Sequence, residues 1–391
     1  MTGTRRHPDP EGASAKQGAE AAVARAAGPA APAPPAAAEA GPAAMAAVAG
    51  EAAESAGPRA APAAPRATGP TAERGAGGPA DEADGRAPAR AAGQPEGFRS
   101  GFVALIGRPN VGKSTLLNQL IGRKIAIMSD KPQTTRTRIL GVLNRPGAQL
   151  IFVDTPGIHK PQHLLGEHMV RVARRTLQEV EVVCWLVEAP DREPGPGDRY
   201  IAEQLVEVKT PKILVVNKID QVAPGEVPAI AQRFAQLGQF AAVHPVSALH
   251  GVGVPELVEE LEGRLPQGPR FFPEDMITDQ PEAQIMAELI REQILHRTRE
   301  EVPHAVAVLI EKVERRPNGV VYVPATIYVE REGQKRILIG EQGRMLKEIG
   351  RLARLEIEAL LGSKIYLDLW VKVKPDWRNK QGALSNFGFR A

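Results

Sequence analysis

The chain contains 391 residues, and its formal net charge of +3 is too small to identify a nucleic-acid-binding protein without a local basic cluster. Its single cysteine, Cys184, excludes an intramolecular disulfide and a cysteine-based zinc site, and it favours a reduced compartment. No apolar stretch reaches the ~18 residues that a membrane-spanning helix needs.

The first segment, residues 1–97, is rich in Ala, Pro, Gly, Arg and Glu and contains no Leu, Ile or aromatic residue. Such a composition cannot bury enough apolar surface to offset the entropy that is lost on ordering. We therefore expect a disordered extension. It lacks the continuous apolar stretch of a secretory signal, and its glutamates argue against a mitochondrial transit peptide.

A phosphate-binding motif opens the globular part of the chain. Residues 107–114 read GRPNVGKS, which is G-x-x-x-x-G-K-S, between the apolar run Phe102–Ile106 and a helical pattern. In this context, backbone N–H groups and the helix N-terminus bind nucleotide phosphates. Lys113 is expected to reach the β- and γ-phosphates, and the Ser114 hydroxyl to hold Mg²⁺. The expected phosphate-side residues are Gly107, Arg108, Pro109, Asn110, Val111, Gly112, Lys113, Ser114 and Thr115.

Strand and helix patterns alternate through residues 98–270. The predicted strands are Phe102–Ile106, Ile139–Leu143, Leu150–Val153, Val182–Val187, Ile213–Val216 and Ala242–Val246. Helical patterns separate most of them, which predicts a mostly parallel six-stranded sheet with helices on both faces. Cys184 lies within the fourth strand, so we expect a buried structural thiol.

Two segments at predicted strand ends complete the phosphate side. Asp154-Thr155-Pro156-Gly157 directly follows the third strand. Its carboxylate can orient the Mg²⁺ shell, and the Gly157 N–H can contact the γ-phosphate. Ligands of such sheets bind at the carboxyl ends of the strands, which is where both segments fall.

The guanine base is expected at the next two strand ends. Asp220 of Asn217-Lys218-Ile219-Asp220 can accept from guanine N1–H and the 2-amino group, a donor pair that adenine lacks. Asn217 can tie this loop to the phosphate loop, and Lys218 can cover the purine ring. The backbone of Ser247 and Ala248 can receive guanine O6. The order of these segments favours a guanine-nucleotide site over that of an ATPase or a nucleotide kinase.

Two stretches resemble the switch regions of Era-family GTPases. Gln133–Arg138 resembles the first switch and Asp154–Glu167 the second, and the resemblance covers almost everything after Phe98. It implies that Thr135 meets Mg²⁺ and the γ-phosphate in the GTP state, with the adjacent Thr134 as the alternative. The expected metal ligands are Ser114, Thr135 and Asp154, and the expected catalytic residues are Lys113, Thr135 and Gly157.

Two positions bear on the rate of hydrolysis. Ile158 stands where Ras-like GTPases carry the glutamine that orients the attacking water, and an apolar side chain cannot polarise water, so we expect slow intrinsic turnover. Asn110 leaves two interpretations open. Some relatives use such an asparagine to bind K⁺, which implies that K⁺ accelerates hydrolysis more than Na⁺; the alternative is that Asn110 only shapes the turn.

The pattern changes after a proline-rich hinge at residues 265–269. An amphipathic helix over 282–298 precedes strands Val306–Ile310 and Val320–Val329, which we expect to be joined around Asn318-Gly319. A G-x-x-G turn, a long helix to Leu361 and the strand Ile365–Val373 follow. This order resembles the type II KH fold. We therefore expect a P-loop GTPase domain over 98–270, a linker over 271–281 and a smaller α+β type II KH domain over 282–391.

The G-x-x-G turn, Gly340 to Gly343, indicates RNA binding, because it lets backbone approach the sugar-phosphate chain closely. Basic residues recur along one face of the helix that follows it, while Leu346, Ile349, Ala353, Ile357 and Leu360 form its core stripe. Glu341 is not expected to touch phosphate, and Trp377 is expected in the core. The expected RNA-binding residues are Gly340, Gly343, Arg344, Lys347 and Arg351.

The sequence thus predicts a GTP-hydrolysing switch fused to an RNA-binding module. The resemblance to Era implies binding to 16S ribosomal RNA near its 3′ end and a role in small (30S) subunit assembly. It further implies a cytoplasmic monomer that uses GTP or GDP and Mg²⁺, with peripheral association to the inner membrane. The alternative is a regulatory GTPase whose C-terminal domain binds a protein or membrane partner instead of RNA.

Overall fold

The computed structural model of the protein describes Pro95, residues 97–158 and residues 163–389. The extension predicted over 1–97 lies almost entirely outside the described residues. Within the described part of the chain, no helix combines the length and apolarity needed to cross a membrane. The strands of the first domain are β1 (Arg99–Gly107), β2 (Ile139–Asn144), β3 (Ala148–Asp154), β4 (Val182–Glu188), β5 (Lys212–Asn217) and β6 (Ala242–Pro245). Its helices are α1 (Lys113–Ile121), α2 (Leu164–Thr176), α3 (Pro196–Leu205), α4 (Val227–Ala235) and α5 (Val254–Arg264).

The six strands form one sheet in the order β2-β3-β1-β4-β5-β6. Only β2 runs antiparallel to its neighbour, so the predicted mostly parallel sheet is confirmed. Because β1 lies between β3 and β4, the loops that follow these strands emerge side by side at the carboxyl edge of the sheet. This edge is where such sheets bind ligands.

Helices cover both faces of this sheet. Leu117 of α1 and Leu257 of α5 belong to the core on one face. On the other face, Ile201 of α3 and Phe234 of α4 are fully buried against the strands. Cys184 lies in β4 at the centre of the first core, and burial raises the pKa of its thiol to about 12. The expectation of a structural thiol is confirmed.

The segment between the two domains follows the free edge of β2. The Val142 N–H donates to the Ile277 carbonyl at 2.9 Å, and Gly141 forms an antiparallel bridge with Thr278. Gln149 Oε1 accepts the N–H groups of Phe271 and Phe272 at 2.8 and 3.0 Å. The linker therefore covers an edge strand that would otherwise present unpaired backbone groups.

The second domain packs its long helices against one face of a small sheet. Its elements are α6 (Glu282–Arg297), α7 (Val302–Ala305), β7 (Ala307–Leu309), β8 (Glu314–Arg315), β9 (Val321–Val329), α8 (Glu332–Ile339), α9 (Arg344–Leu361), β10 (Ile365–Val373) and α10 (Gln381–Asn386). The sheet has the order β10-β9-β7, with β10 parallel and β7 antiparallel to β9, and β8 also pairs with β9. This matches the predicted KH topology.

One predicted connection is wrong. The Asn318-Gly319 turn does not join the first predicted strand to the second, because the two-residue strand β8 lies between them. Gly319 has φ +79° and closes a tight turn from β8 to β9, in which the Arg316 N–H donates to the Val320 carbonyl at 2.9 Å. The predicted turn at Asn318-Gly319 is present, but a strand of two residues carries no periodicity by which it could be recognised.

The long helix α9 divides its faces as predicted. Ile349, Ala353 and Ile357 are fully buried against the sheet, while Arg344, Lys347, Arg351 and Arg354 are exposed. Buried and basic residues recur at helical spacing on different sides of the same helix. The basic stripe therefore lies at the surface, apart from the residues of the core.

Trp377 is a core residue, as expected. Its side chain is 0% exposed, and its indole N–H donates to the Ala305 carbonyl at 2.8 Å. Phe387 meets it edge-on at 5.1 Å, and Phe389 stacks on it at 6.2 Å between ring centroids. These three aromatic rings pack on one another, so the C-terminal segment is anchored to the domain.

We predict that Trp377→Ala lowers the free energy of unfolding by about 3–5 kcal/mol, because it leaves a cavity and an unpaired carbonyl. Trp370→Ala is the matched control, since Trp370 is 60% exposed, and it should change stability by less than about 0.5 kcal/mol. Urea unfolding of the two variants measures the difference. Equal destabilisation by both would contradict the assignment of Trp377 to the core.

Candidate functional site

The phosphate loop, residues 107–114, connects β1 to α1. Gly107 and Gly112 have φ values of +152° and +97°, and a Cβ at Gly112 would lie 2.2 Å from Asn217 Nδ2. Only glycine fits both requirements, so the loop can close tightly at the start of α1. Val111 is buried, and Thr115 lies in the first turn of α1. The loop therefore has the geometry that the motif predicted.

Lys113 is buried under this loop. Its Nζ donates to the Arg108 carbonyl at 2.8 Å and to the Gly107 carbonyl at 3.3 Å. Burial lowers the pKa of Lys113 to about 8, and the nearby Asp154 carboxylate opposes that shift. The amine is thus held at the inner side of the loop, where a polyanion would further favour its protonated form.

Three predicted metal-binding side chains converge beside Lys113. Ser114 Oγ donates to Asp154 Oδ2 at 2.7 Å and lies 2.8 Å from Thr135 Oγ1, which itself donates to Asp154 Oδ2 at 3.2 Å. Thr134 Oγ1 instead donates to the Lys131 carbonyl at 2.6 Å. The structure therefore brings Thr135, and not Thr134, to this cluster.

Only one of the two oxygens of the Asp154 carboxylate accepts hydrogen bonds from described residues. Within the described residues its Oδ1 is buried without a hydrogen-bond partner, and burial raises the pKa of the group. A buried oxygen without a partner is costly unless a cation or a donor occupies the space beside it. The cluster is therefore chemically suited to a small divalent cation.

Gly157 and Ile158 follow the same strand and close onto the phosphate loop. A Cβ at Gly157 would lie 2.8 Å from the backbone nitrogen of Pro109, and the Ile158 N–H donates to the Gly107 carbonyl at 3.2 Å. The Ile158 side chain is buried in the apolar core and supplies no polar group. Residues 159–162 of the predicted second switch lie outside the described residues.

Asn217 ties three loops together at the other end of the site. Its Nδ2 donates to the Val111 carbonyl at 2.8 Å, and its Oδ1 accepts the Ala248 N–H at 2.9 Å. Asp220 Oδ1 accepts from Ser247 Oγ at 2.5 Å. The expected link between the base-side loop and the phosphate loop is present. The Ala248 N–H already donates to Asn217 Oδ1, so guanine O6 would have to share this donor with Asn217.

Lys218 lies over the mouth of the phosphate loop. Its Nζ donates to the Asn110 carbonyl at 2.9 Å and pairs with Glu188 at 2.9 Å. Asn110 Nδ2 donates to the Asp130 carbonyl at 2.5 Å, which fits the turn-shaping interpretation of Asn110. Its use as a K⁺ ligand stays a prediction.

The side chain of Arg108 is held in ion pairs within the first domain. Its guanidinium forms ion pairs with Asp198, at 2.8 Å, and with Asp191, so its side chain is engaged with α3 and the loop before it. Its carbonyl accepts from Lys113. Only the main chain of Arg108 is therefore a candidate for phosphate binding.

The G-x-x-G turn joins α8 to α9 at the surface of the second domain. Gly340 has φ +71°, and a Cβ there would lie 2.7 Å from the Met345 Cβ, so the close approach requires glycine. Glu341 is exposed and forms an ion pair with Arg344, and Arg351 pairs with Glu348 at 2.8 Å. Lys347 is exposed between them. The predicted basic residues thus follow the turn along α9, and Glu341 is paired with one of them, Arg344.

The contact between the first switch and the second domain was not predicted. Arg136 is buried, and its guanidinium donates to the carbonyls of Val306, Pro303 and His304 at 2.5–3.2 Å. Burial lowers the pKa of Arg136 to about 9. Arg291 of α6 donates to the Thr134 carbonyl. The first switch is therefore bonded directly to the KH domain on both sides of Thr135.

Two further groups of residues extend this contact. Glu292 of α6 is buried; it accepts the Met128 N–H at 2.8 Å and pairs with Lys124 at 2.5 Å. Leu165 and Met169 of α2 pack against the C-terminal segment around Trp377. The adjacent charges of Arg291 and Glu292 within the apolar pattern of α6 are a sequence signal that could have indicated a polar interface.

Comparisons with known proteins agree with this geometry. A family model described as 50S ribosome-binding GTPase matches residues 102–218, and a KH domain model matches residues 301–378. GTPase Era of Heliobacterium modesticaldum is 55% identical over 294 residues, which cover 75% of this chain and 98% of the relative. GTPase Era of Carboxydothermus hydrogenoformans is 58% identical over 293 residues, with the same coverage.

Two solved structures resemble the chain over the same share of its length. One is Era in complex with MgGDPNP and nucleotides 1506–1542 of 16S ribosomal RNA, and the other is a variant of Aquifex aeolicus Era bound to GDP and AlF4⁻. Each is 42% identical with a TM-score of 0.72, and each match covers 75% of this chain and 100% of the other.

Fold and site together define a P-loop GTPase joined to a C-terminal KH domain. The relatives are 55% and 58% identical and are covered almost completely, which is enough to assign the family. The chain belongs to the Era family of GTPases.

We predict that Asn217→Ala lowers the free energy of unfolding by about 1–3 kcal/mol even without ligand, because it unpairs the Val111 carbonyl and the Ala248 N–H. Asn386→Ala is the control, since Asn386 is exposed on α10, and it should be nearly neutral. Chemical denaturation without nucleotide measures both. An Asn217 variant as stable as the control would show that this link does not organise the site.

Proposed function

We propose that this protein is a GTP-driven switch that binds 16S ribosomal RNA near its 3′ end and assists assembly of the 30S subunit. The observation that carries the proposal is the match to the Era complex with MgGDPNP and 16S nucleotides 1506–1542, which covers the whole of that chain. The exposed G-x-x-G turn and its basic flank supply the chemistry for an RNA backbone.

Mg²⁺ fits the cluster of Ser114, Thr135 and Asp154. The cluster offers two hydroxyls and one carboxylate with an unpaired buried oxygen. No group of three or more His, Cys, Asp or Glu side chains among the described residues could hold a metal ion. Mg²⁺ typically binds one or two protein oxygens together with substrate phosphates, so a sparse site suits it. When bound, the ion neutralises charge on the β- and γ-phosphates.

Hydrolysis of GTP is assigned to positioning and electrostatics. Lys113 holds the phosphate chain, Thr135 encloses it from the first switch, and Gly157 allows the backbone after β3 to approach the phosphate loop. The buried Ile158 cannot orient water, so the intrinsic rate is slow. The phosphate loop and the three hydroxyl and carboxylate groups thus act mainly by preorganisation.

Guanine selection is assigned to Asp220. Its carboxylate is fixed by Ser247, and the loop that carries it is fixed to the phosphate loop through Asn217. Lys218 lies between the two loops and can cover the base with its methylene stem. The backbone of Ser247 and Ala248 remains the proposed partner of guanine O6.

The nucleotide state is proposed to control the KH domain through the first switch. Thr135 belongs to the metal cluster, while the residues on either side of it are bonded to the KH domain by Arg136 and Arg291. Release of Thr135 after hydrolysis would therefore disturb an interface that contains buried charges. This connection makes RNA binding dependent on GTP.

The cellular setting follows from the proposed RNA partner. A protein that acts on the 30S subunit works in the cytoplasm, and we propose that it does so as a monomer. Peripheral membrane association stays a prediction. The 30S subunit and its 16S ribosomal RNA are the proposed partners.

We predict that Asp220→Asn shifts nucleotide preference from guanine toward xanthine, because an amide donates where the carboxylate accepted. Competition between GTP and XTP for the purified protein measures the change, which should exceed about tenfold. Asp275→Asn, which changes an exposed aspartate of the linker, is the control and should keep the preference for GTP. An Asp220 variant that still prefers GTP would refute the assignment.

We predict that Lys347→Ala weakens binding to the 16S 1506–1542 RNA and lowers the slope of log affinity against log salt by about one, because one phosphate contact is lost. Lys209→Ala is the control, because Lys209 is an exposed lysine of the first domain and lies outside the KH domain. Fluorescence anisotropy at several KCl concentrations measures both variants. Salt-independent or absent binding by the unmodified protein would favour a protein or membrane partner for the KH domain.

A further inference from the structure

The sheet of the KH domain has an outer face that its helices do not cover. Along β9 and β10 alternate residues point to the helices, and Val321, Val323, Ala325 and Ile327 are buried there. The parallel register places the intervening residues side by side on the other face. These outer residues are Tyr322, Pro324, Thr326, Tyr328, Tyr366, Asp368, Trp370 and Lys372.

Aromatic residues are concentrated on this outer face. Only 4% of the chain is aromatic, yet three of its four tyrosines lie here. Tyr322 and Tyr366 stack with their centroids 5.9 Å apart and their planes at 26°. Trp370 and Tyr366 are 60% and 55% exposed, which is costly for such large apolar surfaces unless a partner covers them.

The fold itself covers only one end of the face. At that end, Phe387 of the C-terminal segment packs on Tyr328 with a centroid distance of 4.9 Å. Ala307 of β7 is buried there against Leu165 and Met169 of α2. No other described segment of the chain covers the opposite end, which carries Tyr322, Tyr366 and Trp370. We call this open part the aromatic face.

The charges around the aromatic face suit a polyanion. The Arg316 guanidinium lies 4.6 Å and 5.5 Å from the ring centroids of Tyr322 and Tyr366. Lys372 is exposed next to Trp370 on the same strand. Two acids of this region have partners: the Asp368 carboxylate accepts from the Tyr322 hydroxyl at 3.0 Å, and Glu314 of β8, which lies opposite Tyr322, pairs with Lys312 at 2.9 Å. Stacked rings flanked by cations are the chemistry that binds single-stranded nucleic acid.

The aromatic face lies behind the proposed G-x-x-G site. Leu369 of β10 points to the helices, and a Cβ at Gly350 of α9 would lie 3.2 Å from it. Trp370, the next residue, is on the opposite side of the same strand. Since β10 is the edge strand of the sheet, one strand alone separates α9 from the aromatic face. An RNA chain longer than the few nucleotides that a KH turn holds can pass around this edge.

We propose that the aromatic face is a second surface for single-stranded RNA, on which bases stack against Trp370 and Tyr366 while Arg316 and Lys372 meet the phosphates. The proposal rests on the RNA-binding function proposed above. It assigns the RNA a continuous path from the G-x-x-G turn, around β10, to the outer face of the sheet.

The test measures binding of the 16S 1506–1542 RNA to the full chain loaded with a GTP analogue. Trp370→Ala should weaken binding about tenfold at every salt concentration, because a stacking contact is lost and no phosphate contact is. The slope of log affinity against log salt should stay unchanged, in contrast to Lys347→Ala. Trp370→Phe should bind nearly as well as the unmodified protein, since it keeps a ring.

Tryptophan fluorescence gives an independent signal. The chain contains three tryptophans, and Trp185 and Trp377 are fully buried, so quenching by RNA reports on Trp370. Titration should quench the unmodified protein and leave Trp370→Phe unchanged. Phe271→Ala, which removes a half-exposed ring outside the KH domain, should bind RNA normally. GTP hydrolysis in the absence of RNA should be equal in Phe271→Ala and the unmodified protein.

Several outcomes would overturn the inference. If Trp370→Ala binds the RNA as tightly as the unmodified protein while Lys347→Ala is weakened, the aromatic face does not bind RNA but the proposed function stands. Saturation with RNA without any change in fluorescence would lead to the same conclusion. If the unmodified protein does not bind the RNA, both the proposed function and this inference fail.

Discussion

The position of Thr135 is the constraint on which the rest of the structure depends. Its hydroxyl lies against Ser114 and Asp154 at the phosphate loop, while the main chain on one side and the guanidinium on the other are bonded to the KH domain. The segment Thr134–Arg136 therefore contacts both the phosphate-loop cluster and the KH domain. Since Arg136 and Arg291 are both buried, moving this segment requires a rearrangement of charged groups that have no access to water.

This arrangement links two folds that also share apolar contacts, such as those of Leu165 and Met169 with Trp377. The first domain gathers the ends of β1, β3, β5 and β6 into a nucleotide site, and the KH domain needs only its own helices and sheet to form the G-x-x-G turn. Glu292, Lys124 and the apolar contact of α2 with the C-terminal segment join them near both switches. Under the proposed function, loss of the γ-phosphate would act on this interface through the first switch.

Much of the fold and the nucleotide site could be predicted, because their information is local in the sequence. The phosphate loop, Asp154, Asn217 and Asp220 follow strands, and strand ends meet at one edge of a parallel sheet. Spacing could not separate Thr134 from Thr135, because neighbours differ only in where their side chains point once the segment is held. The interface formed by Arg136, Arg291 and Glu292 depends on residues more than 150 positions apart. The exposed end of the β9–β10 face depends on what the C-terminal segment leaves uncovered.

The most direct test compares RNA affinity in the two nucleotide states of the unmodified protein and of Arg291→Met, with Arg297→Met on the same helix as the control. We expect the GTP-analogue form of the unmodified protein to bind the 16S 1506–1542 RNA about tenfold more tightly than the GDP form. The ratio should fall toward one in Arg291→Met and persist in Arg297→Met. Equal affinities in both nucleotide states of the unmodified protein would contradict the account.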